Sequence, residues 1–180
     1  MDKKKVAIPS CIPWPFTSRR GSLLQPCHPR WFFSHQCQQG KVWDALTGDV
    51  LHSFEHRHIV RACAFSEDTH LLLTGGVEKI LRIYDLNRLD APPTEVDKST
   101  GSVRTVTWMH SDQTILSSCT DIGGVRLWDV RSGKIVQILE TKSSVTSAEV
   151  SQDGRYITTA DGSTVKFWDA NQYVLIFEPD

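Results

Sequence analysis

Val125-Arg126-Leu127-Trp128-Asp129 is a short apolar run that closes on an aromatic and an aspartate, and the chain carries three more runs of the same kind. They are Lys41-Val42-Trp43-Asp44, Leu81-Arg82-Ile83-Tyr84-Asp85 and Val165-Lys166-Phe167-Trp168-Asp169, with the aromatics 41, 44 and 40 residues apart. A period of about 40 to 45 residues ending in Trp-Asp marks one blade of a β-propeller, a unit that buries its faces only by stacking on copies of itself. The fold class is therefore all-β, and the question of function turns toward binding.

Each run is preceded by the same order of elements. Before Tyr84 stand residues 59–65, the turn Ser66-Glu67-Asp68 and residues 71–76; before Trp128 stand 103–108, the turn Ser111-Asp112 and 115–119; before Trp168 stand 145–150, the turn Gln152-Asp153-Gly154 and 156–160. Short β-branched runs separated by Asp, Gly and Ser predict strand, turn, strand, turn, strand. Small residues (Gly75, Ser118, Ala160) close the second strand, where sheets approach closely. A fourth, outer strand follows at 50–54 and 135–139, and after Asp85 a longer link with two prolines leads to Thr94-Glu95-Val96. Proline suits the edge of a sheet.

Counting the copies gives about three and a half four-stranded blades: half a blade over 41–54, then blades over 55–97, 98–140 and 141–180, the last ending in a weak strand over 174–177. Such a partial propeller does not close into a ring. Its two open blade faces predict self-association or a missing remainder. Residues 1–40 form an irregular leader. Residues 10–40 neither repeat nor alternate, and hold Pro13, Pro15, Pro26 and Pro29 beside Trp14, Trp31, Phe32 and Phe33, so disorder or loose packing is expected there.

Composition narrows the function classes. The formal net charge of -1 hides six basic residues against the single acid Asp2 in residues 1–40, leaving 14 basic and 20 acidic residues beyond. A repeat region at -6 argues against broad, charge-driven nucleic-acid binding, so RNA is expected to be met only indirectly. No stretch has the length of an apolar membrane span or signal peptide, and five cysteines imply no disulfide framework, which points to a reducing cytoplasmic or nuclear setting. Cys63 and Cys119 fall in predicted strands, where a thiol acts as a small buried hydrophobe.

Several further stretches, Ala45-Leu46-Thr47-Gly48-Asp49, residues 56–60, Leu72-Leu73-Thr74-Gly75-Gly76 and residues 147–156, complete a likeness to a known family. Over roughly residues 41–170 the chain resembles WD-repeat proteins, and within them the kinase-receptor-associated adaptors of plants. The resemblance implies a non-catalytic scaffold in a multi-subunit protein complex: an adaptor of the survival-of-motor-neuron complex in small nuclear ribonucleoprotein assembly and splicing, or of kinase-receptor signalling. A translation-initiation-factor subunit of related WD-repeat type is the alternative. Members of the family carry further blades where this chain has residues 10–40 and beyond Asp169, so a truncated isoform or mispredicted gene model is the expectation.

The candidate residues follow. Trp43, Tyr84, Trp128 and Trp168 are expected between adjacent sheets, with Asp44, Asp85, Asp129 and Asp169 bonding amides of the next turn. The resemblance implies a histidine before the first strand of a blade, bonded to an acid before the Trp strand. Only His56 stands there, facing Glu78, whereas Asp121 and Asp161 have Ser99 and Thr141 opposite. His56 reads as a structural hydrogen-bonder, because no nucleophile or acid recurs beside it. No Gly-rich phosphate loop, nucleophile elbow or paired carboxylates appear, so no catalytic residue and no cofactor is assigned. Cys27, His28, His35 and Cys37 have metal-ligand side chains but match no common zinc spacing, so no metal is assigned either. The remaining candidates are rim loops between blades, where a rigid scaffold presents binding residues: Arg57 and His58, Ser102 and Arg104, Ser143 and Ser144.

Overall fold

The structure, a computed structural model, describes residues 24–26, 31–36, 39–88, 90–98, 100–121 and 124–178. Among them run sixteen strands and no helix. The first sheet holds β1 (Leu24–Pro26), β2 (Trp31–Gln36), β3 (Gln39–Asp44) and β4 (Val50–Glu55); the second holds β5 (Val60–Phe65), β6 (Leu71–Gly76), β7 (Ile80–Asp85) and β8 (Thr94–Lys98). The third holds β9 (Val103–Met109), β10 (Thr114–Cys119), β11 (Val125–Asp129) and β12 (Ile135–Leu139); the fourth holds β13 (Val145–Val150), β14 (Tyr156–Asp161), β15 (Thr164–Asp169) and β16 (Leu175–Phe177). Strand order in space equals strand order in sequence, every neighbouring pair is antiparallel, and no sheet closes on itself. This is a partial propeller of four blades.

Recurring turns explain why the strands begin and end where they do. In the second sheet Ser66 Oγ accepts from Leu71 N at 2.9 Å and donates to Asp68 at 2.7 Å; in the fourth, Ser151 Oγ accepts from Tyr156 N at 3.0 Å and donates to Asp153 at 2.5 Å. Both turns need one left-handed residue, filled by Gly154 (φ 70°) in one and by Thr69 (φ 61°) in the other. After the Trp-Asp pairs a tight turn runs from Asp44 N to Asp49 O, from Asp129 N to Lys134 O and from Asp169 N to Val174 O, each at 2.9 Å. A register shift accompanies it between Val42 and Trp43, Leu127 and Trp128, and Phe167 and Trp168. The bulge twists the outer strand away from the sheet.

Among the described residues the core forms three clusters, each shared by two successive sheets. Val42 and Phe54 of the first sheet meet Val60, Leu72 and Tyr84 of the second. Leu73, Leu81 and Ile83 of the second meet Val103, Ile115 and Trp128 of the third, and Leu116, Val125 and Leu127 of the third meet Val145, Ile157 and Trp168 of the fourth. Alternation along each third strand produces this order: the aromatic faces the preceding sheet, and the aliphatic residue beside it faces the following one. Gly75 lies at such a junction, where an added Cβ would stand 2.6 Å from Val103 Cγ1, so the close approach there depends on the missing side chain. Cys63 and Cys119 are buried thiols within the same layers.

At the amino end the structure differs from the expected half blade over 41–54 and the irregular leader reaching residue 40. β2 pairs with β3 from Trp31↔Asp44 to Gln36↔Gln39, and β1 pairs with β2, so the first sheet has four strands. The physical reason is that a hairpin tolerates aromatic and polar residues without strict alternation once β3 offers an edge to pair with. The rest of that leader lies outside the described residues. At the other end the weak strand over 174–177 is β16, paired to β15 at Phe167↔Phe177 and Trp168↔Leu175.

Candidate functional site

Tyr84, Trp128 and Trp168 sit where adjacent sheets meet. Trp128 is fully buried and donates its Nε1–H to Ser117 Oγ at 2.7 Å; Trp168 donates to Thr159 Oγ1 at 3.0 Å. Ser117 and Thr159 occupy the same register position one strand inward, and Thr74 takes it beside Tyr84, whose phenol is pushed up chiefly by burial. A fully buried ring of this size removes roughly 150–250 Å² from water, on the order of 4–6 kcal/mol gross at about 25 cal/mol per Å². Trp43 stays half-buried.

The four aspartates organise the turn that follows. Asp44 Oδ1 accepts from Leu46 N (2.7 Å) and Thr47 N (3.1 Å), Asp85 Oδ1 from Asn87 N (2.9 Å), Asp129 Oδ2 from Ser132 N (2.9 Å), and Asp169 Oδ1 from Asn171 N and Gln172 N (both 2.8 Å). These bonds favour the charged carboxylate. Asp169 is lowered by the Gln172 and Asn171 amides, Asp129 by the Ser132 hydroxyl and amide, and Asp85 by the Arg88 guanidinium and the Asn87 amide.

His56 is buried, with its ring edge against Tyr84 (centroids 5.8 Å apart) and its Nδ1 3.4 Å from Arg82 Nη1. Glu78 holds the loop by its backbone: Glu78 Oε1 accepts from Arg57 N and from His58 N at 3.0 Å, while Glu78 Oε2 pairs with Arg82 Nη2 at 2.5 Å. Burial pushes the Glu78 carboxyl up, but the Arg82 guanidinium and these amides outweigh it, so its pKa lies below the ordinary value. Arg82 also reaches Glu95 at 3.1 Å. The fourth sheet repeats the device, since Asp161 Oδ2 accepts from Lys142 N at 3.1 Å and lies 3.5 Å from Lys166 Nζ, both side chains being buried. In both sheets a backbone amide and a basic residue from the Trp strand engage the acid.

That basic residue was not among the sequence candidates. Lys41, Arg82, Arg126 and Lys166 stand two positions before each aromatic, on its face of the strand, and the signal was present in the repeated runs. Two acids, Glu78 and Asp161, are engaged this way, and Arg126 Nη2 donates to Thr100 Oγ1 at 2.8 Å.

Of the rim candidates, Arg57 and His58 are exposed while their amides are fixed by Glu78. Ser102, Arg104, Ser143 and Ser144 are half-buried. Ser102 N donates to Thr120 Oγ1 at 3.1 Å, Ser143 O accepts from Thr141 Oγ1 at 2.8 Å, and Arg104 lies within β9 rather than in a loop. A cavity of about 10 Å³ beneath the Arg57 loop, lined by His56, His58, Thr74, Glu78 and Arg82, holds at most one water. Among the described residues no three His, Cys, Asp or Glu are placed to hold a metal. Cys27, His28 and Cys37 lie outside those residues, as does the side chain of His35.

The arrangement is a stack of four-stranded sheets joined by loops, and the sequence is similar to known proteins. The family model described as nucleolar protein 10-like, N-terminal domain, a β-propeller, matches residues 34–168. Serine-threonine kinase receptor-associated protein of Dictyostelium discoideum is 42% identical over 133 residues, 74% of this chain and 45% of that protein. The Homo sapiens protein of the same name is 40% identical over 130 residues, 72% of this chain and 37% of its own length. The guanine nucleotide-binding protein subunit beta of Dictyostelium discoideum is 34% identical over 126 residues, 66% of this chain and 36% of that protein. The chain thus spans less than half the length of these relatives. With four Trp-Asp-type sheets, a family match over 34–168 and these relatives, the chain belongs to the WD-repeat β-propeller family.

Proposed function

We infer that this chain is a non-catalytic protein-interaction scaffold that works within a multi-subunit complex, in the cytoplasm and nucleus. The observation that carries this reading is the Arg57-His58 loop: two exposed cationic or aromatic side chains on a backbone held by Glu78, itself paired with Arg82, which Glu95 engages from its other side. A loop fixed before binding loses little conformational freedom when a partner docks, and Arg is an effective interface anchor. The name of its relatives supports a partner from the serine-threonine kinase receptor system. The resemblance to WD-repeat adaptors supports a second setting, ribonucleoprotein assembly and splicing, with RNA reached through other proteins because the repeat region is acidic.

Affinity purification of the tagged chain with mass spectrometry separates these settings. Receptor-kinase components or assembly factors of ribonucleoprotein particles should co-purify, and Arg57→Ala with His58→Ala should reduce their recovery several-fold without lowering the melting temperature. Recovery of initiation-factor subunits instead moves the scaffold to translation. Recovery unaffected by the double substitution contradicts the role of the loop.

A further inference from the structure

We propose that the mouth of the propeller axis, where Arg61 and Arg104 project from bulges in two neighbouring innermost strands, binds an anionic segment of a partner protein. The first strand of the second, third and fourth sheets carries one extra residue at the same place. Val60 lies opposite Gly76 and Ala62 opposite Gly75, so Arg61 has no residue across from it. Val103 lies opposite Cys119 and Thr105 opposite Ser118, which leaves Arg104; Val145 lies opposite Asp161 and Ser147 opposite Ala160, which leaves Thr146. A bulge at a sheet edge re-aims the side chain it carries and recurs beside functional sites. The blade repeat accounts for the bulge, but not for an arginine placed on two of the three.

The two arginines stand on adjoining strands. β5 packs on β9 and β9 on β13, and Trp108 Nε1–H of β9 donates to Ala64 O of β5 at 3.0 Å. Arg61 is exposed and Arg104 half-buried, each one residue past a buried valine, Val60 or Val103. Arg104 Nε is shielded from water and has no hydrogen-bond partner among the described residues. A guanidinium keeps its charge at any ordinary pH, and one short of an acceptor gains more from a carboxylate or phosphoryl oxygen than a fully solvated one. In the fourth sheet the same bulge carries Thr146, whose Oγ1 turns back to donate to Ala160 O at 3.0 Å. The cationic part of the mouth therefore belongs to the second and third sheets.

Charge decides what docks there. The antiparallel strand order puts the loops that enter the first and third strands of every sheet at this rim. In the described loops Asp121 and Glu140 stand against Arg57, Lys79 and Lys142, Glu78 being paired with Arg82, and the two bulge arginines add to the positive side. The opposite rim carries Asp68, Asp112 and Asp153 in its turns, together with the four aspartates that follow the aromatics. An acidic segment is drawn to the first rim and repelled from the second. The Arg57-His58 loop leads directly into β5 and so into Arg61. The proposal rests on the reading of that loop as a partner surface and names the chemistry of the partner.

Fluorescence anisotropy on the 180-residue chain tests the proposal with labelled peptides of equal length: one rich in glutamate, one carrying phosphoserines in a Gly-Ser frame, and one neutral Gly-Ser peptide. An anionic peptide should bind and the neutral one should not, and the tighter of the two anionic peptides tells whether the partner's segment is acidic or phosphorylated. Arg61→Gln and Arg104→Gln should each weaken binding about tenfold, and Arg155→Gln, exposed on the opposite rim, should leave it unchanged. If Arg104→Gln lowers the melting temperature, the exposed Arg61→Gln decides alone. Peptide binding that ignores both arginines, while partner recovery still needs Arg57 and His58, overturns this proposal and leaves the loop reading intact. Peptide binding that needs the arginines, while partner recovery ignores the loop, supports the proposal and contradicts that reading. Binding of neither anionic peptide, equal binding of the neutral one, or an equal loss with Arg155→Gln each overturns the proposal.

Discussion

Trp128 separates two contributions that the repeated motif combines, burial of a ring between sheets and one hydrogen bond to Ser117. Trp128→Phe removes the bond and leaves Ser117 Oγ buried beside a smaller ring, and should cost about 1–3 kcal/mol. Trp128→Ala opens a cavity in a fully buried site and should cost about 3–5 kcal/mol. Urea unfolding followed by circular dichroism distinguishes them. Backbone sign matters at the same scale. Gly124 has φ 82° and its missing Cβ would fall on the Leu139 carbonyl oxygen, so Gly124→Ala should lower stability by at least about 2 kcal/mol. Thr69 holds a β-branched side chain at φ 61°, where Gly154 serves in the fourth sheet. Relief of that strain exceeds the added freedom of the unfolded glycine, so Thr69→Gly should gain up to about 1 kcal/mol.

Within a blade, the basic residue two positions before the aromatic links the third strand to the loop that enters the blade. Lys166 and Asp161 are both buried, and removing the lysine takes away the counter-charge 3.5 Å from Asp161, whereas Lys166 also has Glu178 at 3.7 Å. Lys166→Met should cost about 3 kcal/mol, and adding Asp161→Asn should return much of it, a non-additivity that a double-mutant cycle in thermal melts would read. This element also shows how far the sequence could be read. The Trp-Asp period revealed the strand order, the turns and the aromatic layer, because each is written locally in residue type and spacing. The pairing of Lys166 with Asp161, or of Arg82 with Glu78, was not readable. A charge at that spacing is buried or solvated according to which face a neighbouring sheet covers, and only stacking decides that. The strand Trp31–Gln36 was missed for a related reason, since Trp31, Phe32 and Phe33 run without alternation and only pairing with β3 makes them a strand.

Across the whole molecule, acid sensitivity follows from the turn carboxylates. Asp68, Glu78, Asp85, Asp129, Asp153 and Asp169 are all lowered in the folded chain, so each stabilises it above its unfolded value and that stabilisation is lost as pH falls through the folded value. Asp112 acts in the opposite sense, raised by burial and by the nearby Asp68 and Glu67 carboxylates. The melting temperature should therefore fall as pH drops below about 4, and Asp112→Asn should raise stability at neutral pH and so widen that fall, by removing the carboxylate that opposes folding at neutrality.

The claim that four copies of one blade stack through repeated aromatic junctions is tested most directly by segment-resolved amide hydrogen exchange. Strands β6, β10 and β14, central in their sheets and lined by buried Leu72, Ile115 and Ile157, should be the slowest segments, recurring at the blade period, with the outer strands β12 and β16 exchanging much faster. Fast exchange across β6, β10 and β14, or protection that ignores the blade period, would contradict it.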